Sequence, residues 1–483
     1  KGILNVGKIV ETPRMDEGLR LDIDQRYAIE DTDTYFNWRA AFDECKVEGA
    51  SGVRNQAHAM MCSIEQCNGA GDCRKSNLIG GTLCPAYKVS HDETMTTRAR
   101  ANILREVLTH GSQDVWKNKD IKHVLESCLA CKGCRGECPS SVDMTRIRAE
   151  VLQHIYDTEG TPLRSWLVAR MTWMENIGAI VPDVYNRFAT NRLTAALIKQ
   201  VVGFAAERQI PTLCRRSMRQ LVKAERRKHR LAPNAQKVYL FADEFTNRQE
   251  AELGLLFARL LLHLGYDVEI PKHIESGRAA ISKGCLKRAK DIAQRNVTLL
   301  ANIVHKDAPL VGIEPSCILS FRDEYPDLVP SAMREQAIEL GRNSLLFDEF
   351  LLREVEQGRI RKEQFHAIDA DIWLHGHCHQ KALVGVEKTA SLLRLIPEAT
   401  VHVIPSGCCG MAGSFGYEKE HYATSMAIGE MVLLPAVRKA VAEQGRATIV
   451  CAPGTSCRQQ IKDGTGVHAV HPLEVLSQAL IFA

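Results

Sequence analysis

Two patterns of apolar and polar residues divide the chain. Upstream of about residue 235, apolar residues recur at roughly helical spacing, as in 93–111, 115–128 and 144–160. From residue 236 onward, short β-branched runs alternate with longer amphipathic stretches, beginning with a strand at 237–245 and a helix at 248–266. Alternating strands and helices predict parallel sheets joined by crossover helices.

The strand–helix pattern of the C-terminal part occurs twice. The segment "EPSC" (314–317) matches "GTSC" (454–457), and each follows a β-branched run. We therefore predict two copies of one α/β unit, at 236–345 and 346–483. Residues 161–235 are predicted to be a helical basic linker, and its stretch "RRSMRQLVKAERRKHR" is interpreted as a solvated helix rather than a phosphate or membrane-surface patch.

Composition narrows the class of protein. The 483 residues suggest two to four domains, and 45% hydrophobic with 25% charged residues is typical of soluble globular proteins. The net charge of +4 gives no general electrostatic reason to expect nucleic acid as a partner. The seventeen cysteines are an odd number, and no export signal is visible. These thiols are therefore expected to serve metals or redox chemistry rather than a disulfide scaffold.

The stretch "CLACKGCRGECP" holds four cysteines spaced C-x2-C-x2-C-x3-C before a proline. This is the ferredoxin spacing for a [4Fe–4S] cluster, in which the fourth cysteine ligates a second cluster. Zinc sites use C-x2-C pairs but not this arrangement. We predict that Cys128, Cys131 and Cys134 hold one cluster with Cys84 of "GGTLCP", and that Cys138 reaches toward another.

The second cluster has an incomplete set of predicted thiolates. Cys67 and Cys73 stand at the outer positions of a C-x2-C-x2-C triplet, and Ala70 takes the middle position. With Cys138 they make three ligands, and Cys62 is the favoured fourth. Otherwise the site holds a [3Fe–4S] cluster or uses a non-cysteine ligand, and Cys62 is a buried free thiol.

A third cluster is predicted in the second α/β unit. The adjacent cysteines of "PSGCCGMAG" can both face a multinuclear metal centre if the chain turns sharply at the flanking glycines. Two further cysteines end neighbouring strands, and such strand ends converge in the crevice where open α/β folds bind ligands. The predicted ligands are Cys378, Cys408, Cys409 and Cys457.

Other residues near the third site are interpreted as structural. Cys451 is interpreted as a thiol of the strand core. His375, His377 and His379 flank Cys378 and are expected to make loop hydrogen bonds, rather than to bind zinc or relay protons.

The first α/β unit lacks a matching cluster site. Glu275 and Ser276 stand where the second unit has its paired cysteines, and only Cys317 remains at a matching position. We expect Cys317 either to approach the third cluster or to be buried. Three other cysteines have no ligand context: Cys45, Cys214 and Cys285.

Together these motifs give a specific resemblance. "CNGAGDCRK", "TRARANILRE", "CLACKGCRGECPSSVDM", "HCHQKA" and "GCCGMAGSFGYE" resemble the iron–sulfur half of bacterial FAD-linked D-2-hydroxyacid dehydrogenases. Relatives of this type include D-2-hydroxyglutarate and D-lactate dehydrogenases, the glycolate oxidase iron–sulfur subunit and other proteins with cysteine-rich CCG domains. "KGILNVGKIV" resembles the closing segment of the flavin domain, so residues 1–45 are expected to be a remnant of it.

The resemblance implies an α+β multidomain fold. A helical two-cluster ferredoxin-like domain at 46–160 would precede two pseudo-symmetric CCG repeats, of which the second carries a cluster. FAD would sit on a missing flavin half and pass electrons from a D-2-hydroxyacid through the clusters to a quinone, cytochrome or other carrier. A cytoplasmic oligomer, peripheral at the inner face of the membrane, is expected.

The alternative class is a heterodisulfide or thiol reductase whose C-terminal cluster is itself catalytic. Its sign would be an open iron site that binds thiol. A protein in which the clusters only stabilise the fold is disfavoured, because three of them are predicted in series.

Overall fold

The structure is a computed structural model that describes residues 28–29, 31–39, 55–110, 114–443 and 445–480. Most of the expected flavin-domain remnant lies outside these residues, and so does Cys45. All the described cysteines are free thiols. None of the described helices is long and apolar enough to cross a membrane.

The N-terminal part is helical, as the periodicity predicted. Its helices begin at polar caps: the Asn118 side chain accepts the backbone N–H groups of Asp120 and Ile121, and Asp143 accepts that of Arg146. Helices α1–α6 are Gln56–Glu65, Pro85–Ser90, Thr97–His110, Lys119–Glu126, Gly133–Glu137 and Met144–Glu159.

Residues 31–39 are fastened to helix α6 by one buried carboxylate. Glu150 is fully buried and accepts the backbone N–H groups of Tyr35 and Phe36 and the indole N–H of Trp38. Hydrogen bonds to an ionised, buried acceptor are among the stronger ones in proteins. This short segment therefore packs into the same core as the helices.

Five helices connect this part to the sheets. Helices α7–α11 are Leu163–Val168, Met171–Gly178, Pro182–Thr190, Arg192–Val202 and Met218–Arg226. The segment is joined to the second sheet's unit by Arg164, which pairs with Glu418 and Glu420. Burial alone would raise the pKa of Glu418, but the hydrogen bond from His421 and the charge of Lys283 lower it to about 2.

The first sheet has four parallel strands in the order β2-β1-β3-β4. The central strands β1 and β3 are mostly apolar and buried, as is usual where helices cover both faces of a parallel sheet. Strands β1–β4 are Lys237–Leu240, Asp267–Glu269, Leu310–Gly312 and Ser344–Leu346. Helices α12–α19 are Ala251–His263, Arg278–Ser282, Leu286–Leu300, Pro315–Ile318, Ser320–Asp323, Tyr325–Leu328, Arg334–Arg342 and Phe347–Glu356.

The second sheet has three parallel strands in the order β6-β5-β7. Beyond β7, Val470 forms a parallel bridge with Cys451. Strands β5–β7 are Ala370–Leu374, Thr400–Val403 and Ala447–Cys451. Helices α20–α25 are Cys378–Leu383, Glu387–Leu393, Tyr422–Met431, Leu433–Ala442, Thr455–Thr465 and Pro472–Ala479.

The alternation of strands and helices is confirmed, although the strands end early. Strand β1 stops at Leu240, because Asp243 instead caps the following turn through the N–H groups of Phe245 and Thr246. Strand β4 was not predicted. It spans the boundary expected at 345/346, so any division between the two α/β units has to come after Leu346.

Candidate metal centres

The first centre is a cavity of about 320 Å³ lined by four thiols: Cys84, Cys128, Cys131 and Cys134. The loop that carries the triplet winds tightly, because Ala130 and Lys132 both adopt left-handed backbone conformations, with φ of 53° and 59°. Non-glycine residues rarely adopt this conformation and persist there only where the surroundings hold them. The winding turns all three sulfurs of the triplet toward one space.

Cys84 reaches the first centre from a separate loop. It is itself left-handed, with φ of 48°, and precedes Pro85 at the start of α2. Its sulfur accepts the backbone N–H of Thr97 at 3.1 Å. The Glu137 carboxylate accepts the N–H of Leu83 at 3.0 Å, which ties the Cys84 loop to the loop of the triplet.

The second centre is a cavity of about 310 Å³ lined by the thiols of Cys67, Cys73 and Cys138. Cys62 is buried in helix α1 and does not line this cavity. The first and second centres adjoin: Thr97 lines both cavities, and a hydrogen bond with the Cys84 thiol lowers the pKa of Cys73 to about 7. Cys84 therefore stands between the two sites.

The third centre brings together the four thiols predicted for it, which are 1–6% exposed: Cys378, Cys408, Cys409 and Cys457. The Cys408 and Cys457 thiols and the His375 imidazole all hydrogen-bond to Cys409 and hold its pKa well below the usual range. A hydrogen bond from Cys408 lowers the pKa of Cys378 to about 7. The thiolate is the form of cysteine that binds metals.

Each of the three histidines makes a hydrogen bond, two of them within the second α/β unit and one across to the loop of the first centre. His375 contacts the Ser406 hydroxyl at 2.6 Å, and His377 accepts the backbone N–H of His379. His379 Nε2 lies 3.0 Å from the carbonyl of Ala130, in the loop of the first centre. Burial lowers the pKa of His375 to about 4, so its ring is neutral at physiological pH.

The first and third centres also adjoin. After burial, the charge of Cys378 is the largest contribution to the raised pKa of Cys131. A Cβ placed on Gly136 would lie 2.9 Å from Cα of Ala382, so helices α5 and α20 touch backbone to backbone. The three centres thus form a row, with the first one in the middle.

The first α/β unit has no such gathering of thiols among its described residues. Cys317 is fully buried beside Glu244 and Asp243, and these carboxylates raise its pKa further above the value set by desolvation. Ser276 donates to Glu244 from its hydroxyl and its backbone N–H, at 2.7 and 2.8 Å. Glu275 pairs with Arg288 instead. Cys317 is buried, which is one of the two expected outcomes, and its helix α15 also contacts helix α20, which begins at Cys378.

The lysine between the second and third cysteines of the triplet is a buried cation at the first centre. The Lys132 ammonium is fully buried and forms ion pairs with Asp143, Asp323 and Glu324. Two of these partners come from the first α/β unit, 191 residues or more along the chain. Sequence showed only a lysine near a cluster loop, since its partners are distant in sequence.

These sites suit iron–sulfur clusters. Two of them gather four buried or half-buried sulfurs, the loops around them are fixed by left-handed residues, and N–H groups point at sulfur, as at Cys84. Hydrogen bonds to ligand sulfurs and burial are the means by which proteins tune such clusters.

Known proteins support this chemistry. A family model described as a 4Fe-4S dicluster domain matches residues 66–143. D-2-hydroxyglutarate dehydrogenase from Escherichia coli is 26% identical over 476 residues, which cover 89% of this chain and 44% of that protein. The corresponding dehydrogenase from Pseudomonas putida is 26% identical over 86% of this chain and 43% of its own length.

A shorter relative matches about two thirds of this chain. One subunit of the anaerobic glycerol-3-phosphate dehydrogenase from E. coli is 27% identical over 67% of this chain and 79% of its own length. No solved structure matches. The resemblance inferred from the motifs is confirmed: this chain contains a 4Fe-4S dicluster domain, is homologous to these oxidoreductases, and spans less than half the length of the D-2-hydroxyglutarate dehydrogenases.

Proposed function

We propose that this chain is the electron-transfer portion of a flavin-dependent D-2-hydroxyacid dehydrogenase. The observation that carries the proposal is the row of three thiol-lined centres, each adjoining the next. Iron–sulfur clusters, when bound, accept and release single electrons. A row of such sites suits a partner that must divide the two electrons of a reduced flavin.

The proposed ligand sets follow from the thiols that each site brings together. We assign Cys84, Cys128, Cys131 and Cys134 to the first centre. The second centre takes Cys67, Cys73 and Cys138. The third takes four thiols from the strand ends of the second α/β unit: Cys378, Cys408, Cys409 and Cys457.

The contacts support the order second centre, first centre, third centre. On one side, Cys84 and Thr97 join the first two sites. On the other, His379 bonds the carbonyl of Ala130, and Cys131 lies in one apolar cluster with Cys378. The route to or from the flavin therefore enters at one end of the row, and the acceptor is reached from the other.

FAD and the hydroxyacid site are proposed for a separate flavin domain or subunit. Relatives named D-2-hydroxyglutarate dehydrogenase are more than twice as long as the part that matches. D-2-hydroxyglutarate, D-lactate and glycolate belong to one substrate class, a carboxylate with a hydroxyl on the adjacent carbon.

We further infer that the two α/β units are pseudo-symmetric repeats of the CCG type. The strand order β2-β1-β3-β4 of the first sheet is matched by β6-β5-β7 in the second, followed by the Val470 bridge in the fourth place. The second repeat would then begin after the boundary strand β4.

The thiol reductase alternative is less well supported. A catalytic cluster needs a path for its substrate, whereas each of the four thiols of the third centre is at least 94% buried. The described residues around them leave no exposed sulfur for a disulfide to reach.

The connecting helices present an apolar face to solvent. Helices α8, α9 and α10 bury only Glu175, Ala189 and Ala195, respectively, whereas large apolar residues at four-residue intervals point outward. We define the apolar face as Trp173, Ile177, Ile180, Val184, Phe188, Leu193, Leu197 and Val201, which are 49–81% exposed.

We propose that the apolar face is the peripheral membrane contact and that it docks on a bilayer containing anionic lipids. Residues 163–202 carry two acidic and five basic side chains, and of the basic ones Arg164 is paired with Glu418 and Glu420. Burial raises the pKa of one acid, Glu175, to about 8, and Asp183 is paired with Arg215. Apolar and tryptophan side chains amid a basic surround suit the interface of such a membrane.

Vesicle sedimentation tests the apolar face. The full protein should bind vesicles of phosphatidylcholine with phosphatidylglycerol, and changing Leu193, Leu197 and Val201 to serine should abolish binding. The matched control is Leu78→Ser, which is 90% exposed outside the face. If the triple variant still binds vesicles, or instead alters the oligomeric mass or the affinity for the flavin portion, the membrane proposal is wrong.

The electron-transfer proposal is tested on the complete protein with its flavin portion. Anaerobic iron and sulfide analysis should find iron at all three centres, and a D-2-hydroxyacid should produce reduced-cluster EPR signals. Cys134→Ser should remove the iron of the first centre, whereas Cys285→Ser, at a buried thiol away from the centres, should not. Clusters that no reductant or hydroxyacid can reduce would overturn the proposal.

A further inference from the structure

The second centre differs from the first in one corner of its ligand set. Three thiols line its cavity, and Cys62 is not among the lining residues. The matched dicluster domain begins at residue 66, after Cys62. The fourth group therefore has to be sought within the loop that carries Cys67 and Cys73.

The backbone of that loop repeats the winding of the first centre. In the first centre the middle cysteine, Cys131, stands between two left-handed residues. In the second, Ala70 stands between Gly69 and Gly71, which are also left-handed, with φ of 79° and 83°. The same alternation of conformations puts Ala70 at the place of Cys131, where a methyl group can bind no metal.

No neighbouring side chain among the described residues takes over this corner. Ala70 is exposed, and its backbone N–H bonds the Asn68 side chain at 3.0 Å. Asp72 lines the cavity, but its carboxylate pairs with Lys75 at 3.4 Å and is about one-third exposed. The corner at Ala70 therefore faces solvent rather than a protein ligand.

We propose that the second centre holds a three-iron cluster with an open corner at Ala70, which takes up a fourth divalent metal ion reversibly. This inference rests on the proposed electron-transfer function. Three thiolates from Cys67, Cys73 and Cys138 satisfy three irons. The reduced cluster, [3Fe–4S] with no net charge, would bind one Fe²⁺ to give [4Fe–4S]²⁺. One electron from dithionite first reduces the oxidised cluster, and the incoming ion loses only bound water.

Because the uptake is reversible, the metal content of the second centre would depend on the concentration of free divalent metal ions. The corner is the one ligand position in the three sites that the described residues leave to solvent. Fe²⁺ or Zn²⁺ would enter there and leave without any change in the protein ligands, whereas the first and third centres present four cysteines each.

The experiment compares the parent protein with Ala70→Cys after anaerobic purification. The parent should contain about eleven irons per chain. Once oxidised, it should give the narrow EPR signal of a three-iron cluster, and reduction followed by excess Fe²⁺ should abolish that signal. Ala70→Cys should contain about one more iron and give no such signal at any stage.

Two controls separate the possible ligands. Cys62→Ala and Asp72→Asn should each retain the three-iron signal and its loss with Fe²⁺. If the parent lacks the signal and either variant creates it, that residue is the fourth ligand and the proposal is wrong. If the three-iron signal is present but no cluster is reduced by hydroxyacid in the complete protein, the electron-transfer function fails while this inference stands.

Discussion

Lys132→Met tests whether the first centre depends on the first α/β unit. The lysine ammonium is the cation shared by Asp143, Asp323 and Glu324, and its side chain is completely buried. Methionine has a similar length and no charge. Both residues have a Cβ, so the left-handed backbone at this position costs the same in each.

The structure sets the size of the effect. Removing one partner of a buried ion pair costs roughly 3–5 kcal/mol, because the remaining charge stays buried without compensation. In Lys132→Met, the negative charge of the three carboxylates would be only partly neutralised. Arg278 would still pair with Glu324 at 2.7 Å, and Arg146 would still act on Asp143. Since whole domains are stable by about 5–15 kcal/mol, the loss is a large share of the total.

The pH dependence has a definite sign. Burial opposes the charged form of Lys132, but its three carboxylates prevail and raise its pKa. Lys132 therefore contributes stability that is fully present below its unfolded pKa of about 10.4. This stability is lost as pH rises above that value toward the raised pKa of the folded state. The parent and Lys132→Met should consequently converge in stability only at strongly alkaline pH.

Urea unfolding under anaerobic conditions measures the effect, with far-UV circular dichroism for the fold and visible absorbance for the first centre. With a slope of about 3 kcal/mol per molar urea, a loss of roughly 3–5 kcal/mol should lower the midpoint by about 1–1.7 M. Lys439→Met is the control, because Lys439 is 75% exposed and its pair with Glu443 spans 3.8 Å. Equal midpoints for the two variants would refute the reasoning.

Three further outcomes are expected. Glu418→Gln should destabilise the protein at neutral pH and make its stability less dependent on pH in the acid range. The pKa of Glu418 is lowered to about 2, so its contribution to stability is lost as pH falls from about 4.3 toward that value. Circular dichroism measured against pH checks this. Gly136→Val should slow electron passage between the first and third centres in stopped-flow reduction, while Arg135→Val, exposed on the same helix, should not. Cys457→Ser should remove the iron of the third centre alone, and the buried strand thiol variant Cys451→Ser should keep it, as iron analysis would show; iron loss in both would contradict the assigned ligands.

The sequence predicts the centres well because ligand spacing is local. Three cysteines at two-residue intervals have few ways to face one space, so the triplet ending at Cys134 is brought together in the structure as its spacing indicated. The paired Cys408 and Cys409 are equally local. Cys84 was identified because a proline follows it, as a proline follows Cys138 in the ferredoxin-type motif.

What the sequence could not predict depends on distant contacts. Cys62 is five residues from Cys67, but it lies in helix α1 and is not among the residues that line the cavity. Separation along the chain does not show which way a side chain points. Strand β4 was missed because three residues show no periodicity, and its register is fixed only by pairing with Leu310–Gly312. The burial of Lys132 needed residues from another part of the fold.

The described residues of the first α/β unit gather no set of thiols, but they contribute charge at the first centre. At the positions that correspond to the paired cysteines, Ser276 donates hydrogen bonds to Glu244 and Glu275 pairs with Arg288, so neither position offers a thiol. At the same time the helices of this unit supply Asp323 and Glu324 to the lysine under the first centre. A buried positive charge at that place favours the more negative, reduced form of a bound cluster. The unit therefore acts on the row of centres through charge, and Lys132→Met should lower the reduction potential of the first centre along with its stability.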